Sequence, residues 1–131
     1  MNLAVKYLLD SHIVYWFRIG DERLSADIQQ IIQDTGNPIY YSVVTPWELS
    51  IKVAKGKLAL SDEFFTSLPN IGFDCVPINE VHVEIVRNLP KYHNDPFDRM
   101  LIAQAKAEQL TLITADKELA AYPIKTLLVG A

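Results

Sequence analysis

The sequence predicts an α/β fold, a three-layer α/β/α sandwich around a mostly parallel central sheet. Short apolar runs of β character alternate along the chain with stretches whose apolar residues recur at helical spacing. At least one run, Leu110 to Thr114, is continuously apolar in the manner of a parallel strand covered on both faces. Helix start and stop signals fall between the runs rather than inside them.

The elements follow in order. Ala4 to Leu9 is the first strand, and Ser11 offers an N-cap for an amphipathic helix over Ile13 to Ile19, stopped by Gly20. Ser25 caps a second helix in which Ile28, Ile31 and Ile32 share a face, until Thr35-Gly36-Asn37-Pro38 breaks it. Ile39 to Val44 returns to strand. Thr45-Pro46-Trp47-Glu48 then reads as a helix start, with Pro in the first turn and Glu three residues after Thr as in a capping box, and the helix runs to Lys55-Gly56. Ser61 to Leu68 is a further helix, Phe73 to Ile78 a strand, and Val81 to Leu89 a helix ending before Pro90. Asp95-Pro96 opens the longest helix, with Phe97, Leu101, Ile102 and Ala105 on one face, and the Leu110 to Thr114 strand follows it. Lys117 to Tyr122 is a short helix and Thr126 to Val129 the last strand.

With 131 residues, half of them hydrophobic, the chain is expected to fold as one domain over residues 1–131 and is too rich in Leu, Ile and Val to be disordered. The net charge of −4, from 16 acids against 12 bases, disfavours a nonspecific nucleic-acid patch without excluding nucleic acid, because clustered acids count against the sum wherever they lie. Cys75 has no partner for a disulfide, and the apolar run around it predicts a buried thiol. No apolar window is long enough to span a membrane and no signal peptide is evident, so a cytoplasmic location with no membrane partner is expected.

Four carboxylates stand where a strand ends or a helix begins: Asp10, Glu48, Asp98 and Asp116. In an open parallel sheet these positions share one edge, where residues distant in sequence meet in a crevice. Each has a local alternative. Glu48 is also the distal half of a capping box, Asp98 also charges a helix N-terminus, and Asp10 and Asp116 also form turns or caps. Four such acids in separate elements carry more weight than any one. Their mutual repulsion calls for a divalent metal, so the chain reads as a metal-dependent hydrolase.

Leu8-Leu9-Asp10-Ser11-His12, Trp47-Glu48-Leu49-Ser50-Ile51-Lys52 with Gly56-Lys57-Leu58, Asp95-Pro96-Phe97-Asp98-Arg99-Met100-Leu101-Ile102-Ala103-Gln104-Ala105, and Leu112-Ile113-Thr114-Ala115-Asp116 resemble, in that order, the signatures of PIN domain proteins. Among these the chain is most similar to the VapC-like ribonuclease toxins of bacterial type II toxin–antitoxin systems, over about residues 6 to 129. The resemblance implies a PIN-like nuclease domain that hydrolyses RNA phosphodiester bonds with Mg²⁺ or Mn²⁺, binds a cognate antitoxin and forms a homodimer. It implies Asp10, Glu48, Asp98 and Asp116 as the catalytic and metal-binding set, with Asp10 and Asp98 as direct ligands. Asp95, Ser11 and Thr114 rank behind them as outer-shell or capping residues. Oxygen ligands suit Mg²⁺, and the lack of clustered His or Cys argues against zinc.

The remaining polar and aromatic residues have plainer expectations. His12 packs at a helix start or touches phosphate, His82 is exposed on its helix, and His93 bonds either RNA or its own turn. Tyr15, Trp16 and Trp47 read as packing residues, and Lys52, Lys55 and Lys57 as a solvated helix end that can steer RNA. The competing functional class is a non-catalytic, receiver-like phosphoacceptor module, and a haloacid-dehalogenase-like phosphatase is a third possibility. The first needs acids beside strand one and at the end of strand three, where the chain has Ser11 and Ile78-Asn79; the second needs Asp where the chain has His12.

Overall fold

A computed structural model describes residues 5–130. Its five strands are β1 (Tyr7–Leu9), β2 (Ile39–Ser42), β3 (Asp74–Val76), β4 (Thr111–Thr114) and β5 (Thr126–Leu128). The helices are α1 (Ser11–Ile19), α2 (Ala26–Gln33), α3 (Val44–Ala54), α4 (Asp62–Ser67), α5 (Glu80–Asn88) and α6 (Pro96–Glu108), with 3-10 turns at Leu68–Asn70 and Lys117–Ala121. All four strand pairings are parallel, in the order β3-β2-β1-β4-β5. The expected α/β sandwich is therefore present.

Adjacent residues in a strand point to opposite faces, and this splits the core into two layers. Leu8, Val44, Leu101, Ile102 and Leu112 pack on one face of the sheet, and Leu9, Ile13, Ile28, Ile32 and Ile113 on the other. The alternation of Leu8 with Leu9 and of Leu112 with Ile113 explains why these central strands read as continuously apolar. The chain grows from β1 through β2 to β3 in one direction and returns to place β4 on the other side of β1. The β1/β4 boundary is thus the switch point at which a crevice opens beyond the carboxyl ends of the strands.

Several local expectations are corrected. The first helix is capped by Asp10, whose Oδ1 accepts the Ile13 N–H at 2.9 Å, and Ser11 is its first helical residue. The third helix begins at Val44, and no capping box forms around Thr45 and Glu48. Instead the Ser42 hydroxyl accepts the Val44 N–H at 3.0 Å, and the buried Thr45 and Ser11 hydroxyls bond each other at 3.1 Å, tying α3 to α1. Val44, expected at the end of a strand, belongs to that helix. Cys75 is exposed because β3 is an edge strand, paired only with β2. His82 is fully buried: its ring closes a true capping box with Asn79 and bonds Glu108 of α6 through Nε2 at 3.2 Å. Ser25 caps α2 and Asp95-Pro96 opens the longest helix, as expected. Ala4, the expected start of the first strand, lies outside the described residues.

Candidate functional site

β1 ends at Leu9, and the Asp10 backbone N–H still donates to Ile113 of β4 at 3.1 Å, so Asp10 starts α1 at the switch point itself. Its two oxygens divide the work. Oδ1 caps α1, while Oδ2 accepts the hydroxyl of Thr114, the last residue of β4. The same Thr114 oxygen accepts the Asp116 N–H at 3.1 Å. Asp116 divides likewise: Oδ1 accepts the Glu118 N–H at 2.9 Å and caps the 3-10 turn, and Oδ2 lies 3.1 Å from His93 Nε2. A carboxylate has two oxygens, and here each helix N-terminus uses only one, leaving the second for another partner.

Asp95 spends one oxygen differently, accepting both the Phe97 and Asp98 N–H groups at 2.8 and 3.1 Å. It is the N-cap of α6. Asp98, one turn further, has no such duty, and its Oδ2 lies 3.2 Å from His93 Nε2. Glu48, on α3, is buried with Oε2 3.2 Å from Lys52 Nζ one turn later, while its buried Oε1 has no hydrogen-bond partner. Lys52 Nζ also lies 3.4 Å from His12 Nε2, so Lys52 and His12 stand beside the acids at the α1/α3 side.

The electrostatics report how close the acids are. Burial, then the charges of Asp95, Glu48 and Asp10, push the Asp98 carboxyl up to about 7 against a weaker downward pull from His93. Burial raises Asp10 as well, opposed by the hydrogen bonds from Thr114 and Ile13 and by His12, and reinforced by Glu48. Four elements thus bring Asp10, Glu48, Asp98 and Asp116 to one edge of the sheet, with Asp95, Ser11 and Thr114 around them. The third strand brings no acid there, since β3 ends at Val76 and runs into Pro77-Ile78-Asn79.

Sequence reasoning underrated His93. Its Nε2 stands 3.2 Å from Asp98, 3.1 Å from Asp116 and 3.6 Å from Glu118, at the centre of three carboxylates. Its Nδ1 accepts the Asp95 N–H at 3.1 Å, and its backbone N–H donates to the Tyr122 hydroxyl at 3.0 Å. Burial lowers its pKa, but the hydrogen bond to Asp116 and the charges of Asp98, Asp116 and Glu118 outweigh that and raise it. The loop that carries it is pinned by Arg99, whose guanidinium donates to the carbonyls of Val86, Leu89, Pro90 and His93 and to the Tyr122 hydroxyl. The available signal was a loop His just before a doubly acidic helix start, a place where binding residues concentrate.

The donor set fits a hard divalent cation. It offers carboxylate oxygens, one of them buried and without any donor, and one carboxyl that burial and like charge hold at a high pKa unless a cation compensates it. Among the described residues, His93 Nε2 and one oxygen each of Asp98 and Asp116 lie within 4.8 Å of one another.

No protein of curated function matches the sequence. Solved structures sharing the fold include VapBC2 from Rickettsia felis bound to a promoter DNA fragment, with a TM-score of 0.72 and 16% identity over 95% of this chain and 98% of the other. FitAcB from Neisseria gonorrhoeae has a TM-score of 0.66 at 21% identity, covering 92% of this chain and 96% of its own. VapBC-5 from Mycobacterium tuberculosis, of the VapBC family of toxin–antitoxin systems, has 0.62 at 18%, covering 97% and 100%. The family model for the PIN domain matches residues 7–125. Spanning nearly all of the sheet and every element that carries an acid of the crevice, that match means that this chain belongs to the PIN domain family.

Proposed function

We propose that this chain is a Mg²⁺- or Mn²⁺-dependent endoribonuclease, the toxin of a type II toxin–antitoxin pair, formed by the whole chain as a single nuclease domain. The observation that carries the reading is the acid cluster at the β1/β4 switch point, with Asp98 held near 7 by burial and by Asp95, Glu48 and Asp10. Asp10 and Asp98 would hold the ion directly, and Glu48, through its unpartnered Oε1, and Asp116 would complete the set. A bound ion supplies a lowered pKa for water and charge neutralisation at a scissile phosphate. The protein's own contribution is orientation. Thr114 and the α1 N-terminus fix the Asp10 carboxylate, Asp95 fixes the start of α6, and Lys52 beside His12 offers positive charge to a phosphate backbone approaching the α3 side. A carboxylate left off the ion accepts the proton of the attacking water.

The partners follow from the same edge. VapBC-5 from Mycobacterium tuberculosis belongs to a family of toxin–antitoxin systems, and a toxin–antitoxin complex from Klebsiella pneumoniae shares the fold; an acidic crevice suits Arg or Lys from a cognate antitoxin. A homodimer and a cytoplasmic location belong to this reading; none of the described helices is long and apolar enough to cross a membrane.

The test is incubation of the purified protein with total RNA in Mg²⁺ or EDTA, with mapping of new 5′ ends. Wild-type protein should produce Mg²⁺-dependent ends. Asp98→Asn should produce none while staying folded, whereas Asp95→Asn, whose amide still caps α6, should keep measurable activity. Absence of metal-dependent ends with wild type, or full activity in Asp98→Asn, refutes the proposal.

A further inference from the structure

His93 lies within ligand distance of two of the proposed metal-holding residues, and a nitrogen at that place is ordinarily taken for a third ligand. Its hydrogen-bond pattern argues otherwise. The Asp95 backbone N–H points at Nδ1 at 3.1 Å and needs a lone pair there. A neutral ring with its lone pair on Nδ1 carries its hydrogen on Nε2. Nε2 is then a donor, and it faces only carboxylate oxygens: Asp116 Oδ2 at 3.1 Å, Asp98 Oδ2 at 3.2 Å and Glu118 Oε2 at 3.6 Å. A nitrogen that carries hydrogen has no lone pair for a cation.

We infer that His93 is a positioning residue of the active site, an Nε2–H donor that holds the Asp98 and Asp116 carboxylates in their metal-receiving orientation without ligating the metal. This rests on the metal-dependent reading above and adds to it the group that aims two of the acids. The supporting frame is built for the task. Arg99 fixes the loop through four backbone carbonyls, one of them that of His93, and Tyr122 accepts the His93 N–H while donating to the Pro90 carbonyl. The ring orientation is thereby set from the backbone on one side and by Asp95 on the other, leaving Nε2–H as the free end. Outer-shell donors of this kind set ligand orientation and metal affinity.

Two substitutions separate the donor from the turn. The amide nitrogen of Gln stands as many bonds from the backbone as Nε2, so His93→Gln keeps a donor toward Asp98 and Asp116 and gives up the acceptor for Asp95. Asn places its oxygen where Nδ1 was, so His93→Asn keeps the turn and gives up the reach. Mn²⁺ affinity, measured by calorimetry on the full chain, should stay within about threefold in His93→Gln and weaken by about tenfold or more in His93→Asn. The Mn²⁺-loaded wild type, examined by electron spin-echo envelope modulation, should show no coupling from a directly coordinated imidazole nitrogen. That measurement needs no variant, so a misfolded substitution does not blunt the test. Directly coordinated nitrogen in the wild type, or affinity retained by Asn and lost by Gln, overturns the inference while leaving the metal site standing. Wild-type protein that binds no Mn²⁺ overturns both.

Discussion

Asp98→Asn should stabilise the metal-free protein, by an amount that depends on pH in a defined way. The Asp98 carboxyl is pushed from 3.8 to about 7, first by burial and then by Asp95, Glu48 and Asp10. A carboxylate whose pKa is higher folded than unfolded binds its proton more tightly in the folded state. Its stabilising contribution is therefore full below about pH 4, falls as pH rises toward 7, and is flat beyond. At about 1.4 kcal/mol per pH unit the full displacement corresponds to ~4 kcal/mol. The side chain keeps 21% of its exposure, so solvent screening reduces this to about 2–4 kcal/mol. Asn removes the titration and can still accept from His93 Nε2–H. For a chain of this size the variant should melt roughly 6–15 °C above wild type at pH 8 in EDTA and level with it at pH 4. Saturating Mn²⁺ should reverse the order at pH 8, since an ion bound only by the native wild type restores what repulsion removes. Thermal melts across pH 4–8, with EDTA or Mn²⁺, decide the matter. A difference of the same size at pH 4 and pH 8, or a variant less stable than wild type at pH 8 in EDTA, refutes the reasoning.

Thr114→Val keeps the shape of a buried side chain but strips Asp10 Oδ2 of its donor and the Asp116 N–H of its acceptor; urea denaturation should show a loss of about 1–3 kcal/mol, most of it recovered in Thr114→Ser. Arg99→Lys cannot serve four carbonyls and a hydroxyl at once, since an ammonium has three donors and no planar fork. It should cost about 2–3 kcal/mol in denaturant melts and speed amide exchange across residues 91–95. His82→Ala leaves a cavity under α5, strips the Asn79 N–H of its acceptor and breaks the bond to Glu108 while the Asn79 cap itself remains; a loss of about 2–4 kcal/mol is expected, and wild-type-like melting excludes the buried placement.

The alternation of strands and helices was legible because apolar period and helix punctuation are written in contiguous residues. Leu110 to Thr114 announces a buried parallel strand without reference to any other part of the chain, and Ser25 and Asp95-Pro96 announce helix starts in the same way. Asp10, Glu48, Asp98 and Asp116 were visible as strand-end and helix-start acids for the same local reason, and parallel topology brings such positions to one edge. The strand order with β1 between β2 and β4, which makes that edge a switch point, came only from pairing between segments far apart. The same holds for each error. His82 read as exposed because its helix gives no sign that α6 will lie over it, and Cys75 read as buried because an apolar run does not say whether its strand is central or at the edge. Glu48 looked like a capping partner, yet packing buried it and left one oxygen free. The division of the Asp10 carboxylate between its own helix and Thr114, 104 residues away, and the placement of His93 among Asp98, Asp116 and Glu118 were settled by the tertiary structure alone. A side-chain hydrogen bond depends on positions to within tenths of an ångström; sequence pattern fixes faces and ends of elements, and only the packed core sets the distances between them.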